Sequence, residues 1–282
     1  MLVNPPAHLF GTANAVLSAR AMRHFSPAFA GPLSLKCVID GSATWETAQG
    51  RYQLVPGSVL LLHDGEEYSV TVDALKPVET FCLFFARGYV EDAYRVTVSS
   101  SDALLDQPGG APVALGRRQL FDTTLLTRIH ARMRSGLPLD ESFAEAALSL
   151  AHVQRDVDAR IARLPALRAS TRIELARRVA VATSFLHANL DRNVPIEDAA
   201  REAALSPFHF QRLFKALHGV TPHRYLTRLR LERARALLRA SGAPVLDVAT
   251  ACGFASLGSF TTLFARTFGV PPAQFRRIRE TA

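Results

Sequence analysis

Cysteine is scarce in this sequence, and the few cysteines lie far apart. Cys37, Cys82 and Cys252 are the only three among 282 residues, and no two of them form a CxxC pair. A disulfide framework or a zinc knuckle needs paired, regularly spaced cysteines, so both are excluded. The pattern favours a reduced, cytoplasmic setting. Cys37 and Cys82 are candidates for sensing oxidants, but buried free cysteines are usually inert.

Long uncharged apolar runs are absent too. No stretch reaches the roughly 18 residues that a membrane-spanning helix needs, so we expect no membrane partner. The opening residues, MLVNPPAHLFGTANAV, lack a charged start followed by a long apolar segment, and we expect no signal peptide. With 48% hydrophobic and 21% charged residues, the composition is ordinary for a soluble globular protein.

Acidic residues are sparse in the second half of the chain. Residues 168–282 contain 18 Lys and Arg but 8 Asp and Glu, a net charge of +10. Residues 1–167 contain 15 and 17, a net charge of −2. The length allows about two domains, so the sequence predicts a near-neutral domain and a basic domain with a polyanionic partner. A solvated, arginine-rich helical surface would carry the same charge.

Short runs rich in β-branched and aromatic residues fill the first hundred residues. They are LSLKCVIDG, SATWETA, RYQLV, GSVLLLHDG, EEYSVTVD and VETFCLFFA, separated by Gly, Pro-Gly and Asp-Gly turn signals and by Pro77. Regular short strands with this punctuation predict a sandwich or a β-barrel over residues 1–105. The segment DQPGGAP, at 106–112, predicts a loop.

Helical spacing replaces the strand pattern after Gly116. A first helix is predicted from Arg117 to about Arg134, with a second over 139–164. The first helix has an apolar stripe of Leu120, Leu125, Ile129 and Met133. This stripe would suit either pairing with a second copy of the chain or packing on its own barrel. We therefore expect an N-terminal domain over 1–165, with helices over 117–164, and a C-terminal domain over 166–282.

The C-terminal domain contains an internal repeat. SPFHFQRLFKALHGVTPHRYL begins at Ser206, and SLGSFTTLFARTFGVPPAQFR begins 50 residues later at Ser256. Each copy starts with a serine suited to cap a helix, and a short helix with a stripe of small residues precedes it. The short helices are offset by 49, so the second turn should be one residue longer. Two such units, within about seven helices from Thr171 onward, predict tandem helix-turn-helix motifs that read the DNA major groove.

Residues off the apolar face of the first long helix are candidates for DNA contact. Arg can bond bidentately to guanine and Gln to adenine, while a Lys near the helix end suits a phosphate. The candidates are Phe208, His209, Gln211, Arg212 and Lys215. A solvated helix face would show the same residue types, but their place in a tandem unit of a basic domain favours DNA reading.

The segment between the repeats, PHRYLTRLRLERARALLRA, predicts one rigid connecting helix. Its nineteen residues would span about 28 Å, close to the roughly 34 Å that separates successive major grooves. It could hold two reading heads over adjacent grooves. Its arginines face either phosphates or acidic surface partners such as Glu232. They are Arg224, Arg228, Arg230, Arg233 and Arg235.

LSPFHFQRLFKALHGVTPHRYLTRLRLERARALL followed by VLDVATACGFASLGSFTTLFARTFGVPPAQFRR resembles the DNA-binding domain of the AraC/XylS family of bacterial transcription regulators. The resemblance covers about 171–277, including both motifs and the connecting helix. It implies that Phe208, Gln211 and Arg212 touch bases, with His209 and Lys215 beside them. On the second recognition helix, it implies contacts by Ser259, Thr261, Thr262 and Arg266. The implied partners are double-stranded DNA and RNA polymerase.

The second recognition helix departs from the family pattern. An Arg is common where this chain has Thr262, and a Lys is common where it has Ala265. Leu257 and Gly258 replace a polar pair near the helix start. We therefore expect the first motif to dominate base readout. The second would touch thymine methyl groups or mainly dock on the DNA backbone.

The resemblance also implies a cupin-like β-barrel that binds a small effector, followed by helices that pair two chains. RYQLVPGSVLLLHDGEEYSV is similar to the segment where such barrels turn a hairpin. The effector-pocket candidates are Trp45, Tyr52, His63, Tyr68 and Phe84, although aromatic residues at strand spacing also serve as simple core. Enzymatic cupins hold a metal with two close His, a Glu and a later His, whereas here the matching segment contains only His63. We therefore expect no metal, no cofactor and no catalytic residue, and His63 is better read as a loop or pocket-mouth residue.

The sequence thus predicts an α+β protein: a cupin-like β-barrel with following helices, then an all-α domain with two helix-turn-helix motifs joined by a linker helix. The expected function is a sequence-specific, homodimeric transcription regulator, an activator, controlled by a small-molecule effector. One alternative is a DNA-binding regulator whose barrel only oligomerises. A further alternative is a cupin-type enzyme fused to a DNA-binding domain.

Overall fold

A curled sheet forms the first part of the molecule. The computed structural model describes residues 1–48, 50–98, 119–120, 123–166, 168–192 and 194–280; the loop expected at 106–112 lies outside them. The strands are β1 (Leu2–Val3), β2 (Ala15–Gly31), β3 (Ser34–Asp40), β4 (Ala43–Thr47), β5 (Gly50–Leu54), β6 (Val59–Leu62), β7 (Glu66–Phe84) and β8 (Gln119–Leu120). The sheet runs in the order β1-β2-β7-β3-β6-β8, and β4 pairs with both β5 and β7.

The longest strand pair, β2 with β7, forms the spine of the sheet. The pairing is antiparallel from Ala15 opposite Phe84 to Gly31 opposite Glu66. The expected strand break at Pro77 is wrong, because β7 continues through it. The ladder skips there, with Ala21 opposite Val78 and Arg23 opposite Asp73. Proline has no N–H to donate, so an irregularity in the ladder accommodates it without losing a hydrogen bond.

Three helices follow the sheet: α1 (Tyr89–Val98), α2 (Thr124–Arg134) and α3 (Asp140–Ala162). The sequence did not predict α1. The expected helix start at Arg117 is also wrong where the structure describes it: Leu120 lies in β8, opposite Val59 of β6, and the helix begins only at Thr124. Residues 117–118 lie outside the described part of the chain.

Two cores use the two faces of the sheet. Alternate residues such as Leu35, Cys37 and Phe81 pack on the outer face against Ile129 and Phe143 of the helices. Leu125 and Met133 also pack there, so the stripe predicted on α2 packs on its own domain. The inner face carries a separate core made of Val38, Trp45, Tyr52, Leu54, Leu60, Tyr68, Cys82 and Phe84.

The second part of the molecule is helical. It contains α4 (Ala169–Ala188), α5 (Ile196–Glu202), α6 (Pro207–His218), α7 (Pro222–Ala240), α8 (Val245–Ala251), α9 (Leu257–Phe268) and α10 (Pro272–Glu280). These seven helices, counted over the described residues, match the expected number. The predicted α+β class is confirmed, with a curled sheet followed by helices. No helix in the described ranges has both the length and the apolar content to cross a bilayer.

Candidate nucleic-acid interface and ligand cavity

The two helix-turn-helix motifs, α5–α6 and α8–α9, are built on the same aromatic packing. In the first, the Phe210 and Phe214 ring centroids lie 5.4 Å apart, and Phe214 meets Tyr225 edge-on at 5.2 Å. Fifty residues later the distances are 5.5 Å for Phe260 and Phe264, and 5.6 Å for Phe264 and Phe275. The sequence repeat is therefore a repeat of three-dimensional packing.

Both recognition helices, α6 and α9, begin and end in the same way. The Ser206 side chain accepts a hydrogen bond from the backbone N–H of His209, and the Ser256 side chain accepts one from Ser259. At the other end, Gly219 and Gly269 adopt left-handed φ angles of 75° and 81°. Glycine takes this conformation without steric cost, so each helix stops at the same point.

The turns inside the motifs differ in length, as the offsets predict. Residues 203–206 separate the helices of the first motif, whereas 252–256 separate those of the second. Gly253 in the second turn has a φ of 71°. A Cβ there would lie 2.9 Å from the carbonyl oxygen of Leu190 and 3.1 Å from the Arg230 guanidinium. The longer turn thus needs glycine both for its conformation and for its close packing.

The first recognition helix presents nearly all of its predicted DNA contacts to solvent. Phe208, Gln211, Arg212 and Lys215 are exposed, and His209 is half-buried. Phe208 is 78% exposed although it is aromatic. The opposite face carries Phe210, Leu213, Phe214 and Leu217, which are buried. One face of α6 is therefore free for a ligand with both polar and apolar groups.

The second recognition helix has an exposed face of different chemistry. Ser259, Thr262 and Arg266 are exposed, Thr261 is half-buried, and Leu257 is also exposed. The Ser256 hydroxyl donates a hydrogen bond of 2.9 Å to the Ser259 hydroxyl. This face offers short hydroxyls and an apolar side chain, with Arg266 as its only long donor among the predicted contacts.

The connecting helix α7 distributes its arginines unequally. Arg224 and Arg228 are exposed, as a phosphate contact requires. Arg230 is buried and donates to the backbone carbonyl of Arg192, so its predicted placement toward phosphates is wrong. Arg235 bonds to Glu232 at 2.7 Å and lies over the Phe268 ring. The Arg230 guanidinium also lies against Gly253 in the second turn, which holds this side chain between the two motifs.

A cavity of about 440 Å³ opens on the inner face of the curled sheet. Three of the effector-pocket candidates, Trp45, Tyr68 and Phe84, line it. Tyr52 is buried in the same core without lining the cavity, and half-buried His63 lies outside its lining. Among the described residues, no group of three or more His, Cys, Asp or Glu is placed to hold a metal ion.

Lys36 is the cavity residue that sequence reasoning missed. It lines the cavity from β3 and is 1% exposed. In the segment LSLKCVID, apolar residues occur on both faces of the strand because both faces of the sheet are covered. The sequence therefore does not show which face carries Lys36 into a cavity. The one available signal is the strand period of two, which places Lys36 on the same face as Ser34 and Val38.

Two family models match the chain. An AraC-like ligand binding domain matches residues 14–151, and a helix-turn-helix domain matches residues 199–278. The first covers strands β2–β8 and helices α1–α3 up to Ala151. The second covers both helix-turn-helix motifs from Ala199 onward. The structural division into a sheet-containing part and a helical part thus coincides with two matched domains.

The similar proteins are transcription regulators by name. The HTH-type transcriptional activator RhaS of Escherichia coli O139:H28 is 40% identical over 105 residues, 37% of this chain and 38% of RhaS. The probable transcriptional regulator LumQ of Photobacterium leiognathi is 32% identical over 93 residues, 33% of this chain and 38% of LumQ. This chain thus spans less than two fifths of the length of the curated relatives it matches.

Among solved structures, the DNA-binding domain of AdpA in complex with a target DNA is 33% identical. The match covers 38% of this chain and 94% of the AdpA domain, with a TM-score of 0.35. The ligand-binding match on the sheet, the helix-turn-helix match on the tandem motifs and the sequence identity to RhaS agree: the chain belongs to the AraC/XylS family of transcription regulators.

Proposed function

We propose that this protein is a sequence-specific DNA-binding transcription regulator controlled by a small-molecule effector. The observation that carries the proposal is the repeated motif: α6 and α9 have the same caps and the same buried aromatic pairs, and their outward faces are exposed. A protein with one motif would need a second copy to read two grooves. This chain holds both reading helices itself.

The connecting helix supports reading of adjacent grooves. α7 has 19 residues and so a length of about 28 Å, against roughly 34 Å between successive major grooves on one face of the duplex. Arg224 and Arg228 are exposed on it. The net charge of +10 on residues 168–282 supplies the electrostatic attraction to phosphates that sequence-independent affinity requires.

The two reading helices have unequal roles in this proposal. Arg212 and Gln211 can make bidentate bonds to guanine and adenine, whereas Ser259 and Thr262 are short. We therefore assign most base discrimination to α6. The second helix contributes apolar contact, through Leu257, and backbone docking, through Arg266. Phe208, His209, Lys215 and Thr261 complete the proposed interface.

The sheet-containing part is the proposed sensor. Its cavity supports binding of a small molecule, with Trp45, Tyr68 and Phe84 as walls, while Tyr52 supports the walls from behind and His63 lies at the adjoining turn. The protein would act as an activator, as the name of RhaS suggests. We further propose that it works in the cytoplasm and contacts RNA polymerase. We also propose a homodimer, with the exposed Leu148 and Val153 of α3 as apolar contacts.

Selection from random DNA by the full chain tests the proposal. The wild type should enrich an ordered motif of two parts. Arg212→Ala should lose base preference in one part and weaken binding by about 1–3 kcal/mol. Arg201→Ala is the matched control, because Arg201 is exposed on α5 and already paired with Asp198. Sequence-blind, salt-sensitive binding by the wild type would mean that the motifs only coat phosphates.

A further inference from the structure

We propose that the inner cavity of the curled sheet binds a small monocarboxylic acid with an apolar body, and that the carboxylate pairs with the ammonium group of Lys36. The inference rests on the proposed function only in that this acid would be the effector. It follows from a buried cation that has no acidic partner among the described residues, the Tyr68 hydroxyl beside it and mostly apolar walls.

Lys36 lies where a lysine is rarely found. Its Nζ is 3.4 Å from the centroid of the Phe84 ring and 4.9 Å from that of Tyr68, and both rings line the cavity. Phe10 stacks on Phe84 at 4.0 Å and closes this side. Within the described residues, no Asp or Glu forms an ion pair with Lys36. The faces of the two rings stabilise its charge.

Burial without a counter-charge disfavours the charged form of Lys36. Burial lowers the pKa of its ammonium group from 10.5 to about 7, and only the nearby Cys82 opposes the shift. A buried cation is destabilising unless an anion pairs with it. A carboxylate that enters the cavity supplies this anion in a low-dielectric site, where a charge-assisted hydrogen bond is strong.

The Tyr68 hydroxyl can complete the recognition of a carboxylate, because Tyr68 lines the cavity next to Lys36, whereas Ser34 does not line it. The Ser34 and Tyr68 hydroxyls are neighbours. Among the described residues, neither hydroxyl makes a well-formed hydrogen bond. Burial raises the pKa of Tyr68, so its phenol keeps its proton and remains a donor. A carboxylate has two oxygens with about four acceptor sites, enough for the ammonium group and the Tyr68 hydroxyl.

The rest of the cavity specifies an apolar body and a single charge. Its walls include Leu17, Trp45, Val70 and Val72. The other titratable groups on the lining are Cys82, whose pKa burial raises and which stays neutral, and His24, which is exposed at the edge. A second carboxylate would therefore find no buried cation. The volume of about 440 Å³ suits a small organic ligand.

Calorimetric titration of the full chain tests this inference. The probes are 4-phenylbutyrate and decanoate, each compared with its uncharged amide. The wild type should bind at least one acid about tenfold more tightly than the matching amide. Lys36→Met should remove this difference, because Met fills similar space without charge. Lys76→Met is the matched control, since Lys76 is exposed in the bulged region of β7. Tyr68→Phe should weaken the acid severalfold and leave the amide unchanged.

The outcomes separate this inference from the proposed function. Equal affinity for acid and amide, equal affinity of wild type and Lys36→Met for the acids, or no binding of either acid would overturn the carboxylate assignment. DNA selection with the same wild-type and Lys36→Met proteins, without any acid, reports independently on the regulator. If an ordered DNA motif emerges while acid binding fails, only the effector class is wrong. If the acids bind while DNA binding is sequence-blind, the regulator proposal is wrong and the cavity assignment stands.

Discussion

The guanidinium of Arg230 donates a hydrogen bond of 2.5 Å to the backbone carbonyl of Arg192. Arg192 follows α4, which packs in the core of the first motif, whereas the same guanidinium lies against Gly253 in the turn of the second. Burial lowers the pKa of Arg230, and the nearby Cys252 and Asp191 oppose this shift. One arginine on the connecting helix thus joins the two motifs.

Loss of this contact should destabilise the helical part of the molecule. We expect Arg230→Ala to lower the free energy of unfolding by about 1.5–3 kcal/mol, because a charge-assisted hydrogen bond is lost. Arg228→Ala, on an exposed position of the same helix, should stay within about 0.5 kcal/mol of the wild type. Urea unfolding followed by circular dichroism measures both. Equal effects would show that the Arg230 contact adds nothing.

The equivalence of the two motifs predicts equal costs at their C-terminal glycines. Gly219→Ala and Gly269→Ala should each destabilise by about 1–2 kcal/mol, since both φ angles are left-handed and no neighbour lies within 4 Å of the added Cβ. Gly258→Ala provides a control of opposite sign: it lies inside α9 without a left-handed φ, and alanine should be neutral or stabilising there. The melting temperatures of the three variants measure these effects. A lower melting temperature for Gly258→Ala together with an unchanged one for Gly219→Ala would contradict the assignment of the glycines as helix caps.

The buried ammonium group of Lys36 should make the stability of the ligand-free protein depend on pH. Its pKa is about 7 in the folded chain and 10.5 ordinarily, so between these values the unfolded chain binds more protons and stability rises with pH. From pH 7 to about pH 8 we expect a gain of at most about 1.4 kcal/mol per pH unit. Above about pH 8, the cysteine thiols oppose this gain in stability, because burial raises their pKa in the folded state.

Lys36→Met should flatten this pH dependence between pH 7 and pH 8. It should also be more stable than the wild type at pH 7, because the uncompensated buried charge is gone. Urea titrations at pH 7.0, 7.5 and 8.0 measure the difference between the two proteins, in which the contribution of the cysteines cancels. If the free energy of unfolding changed equally with pH in the wild type and the variant, the Lys36 ammonium group would be in contact with water.

Phe208 is an exposed ring that folding alone does not require. Phe208→Ala should weaken binding to the selected DNA by at least about fivefold, or about 1 kcal/mol, while the melting temperature stays unchanged. Ile173→Ala is the control, because Ile173 is an exposed apolar residue on α4 rather than on a recognition helix. Fluorescence anisotropy at fixed salt gives both affinities. A loss of stability in Phe208→Ala without a loss of affinity would assign the ring to the fold.

The helical part could be predicted closely from the sequence because its signals are local. The capping serines act within one turn of helix, and the repeat compares one such unit with another. The structure reproduces both, including the longer second turn. Arg230 is the exception. It contacts the Arg192 carbonyl and the turn around Gly253, two segments distant from it in sequence, and helical spacing alone carries no information about either.

The sheet-containing part was less predictable because its pairing is non-local. Pro77 looked like a strand end, but the irregular pairing of β2 with β7 absorbs it. β8 is two residues long and is defined only by its partner β6. Lys36 lies in a strand covered on both faces, where hydrophobic alternation disappears. The pocket aromatics Trp45, Tyr68 and Phe84 could be identified by type, whereas the charged residue among them could not.

Each motif has its own core: Phe210 and Phe214 belong to one cluster, and Phe260 and Phe264 to another, with successive stretches of α7 contributing to each. Substitutions on the outward face of one recognition helix therefore need no repacking around the other. The DNA preference of such a chain can therefore change in one half of the target site while the preference for the other half is kept.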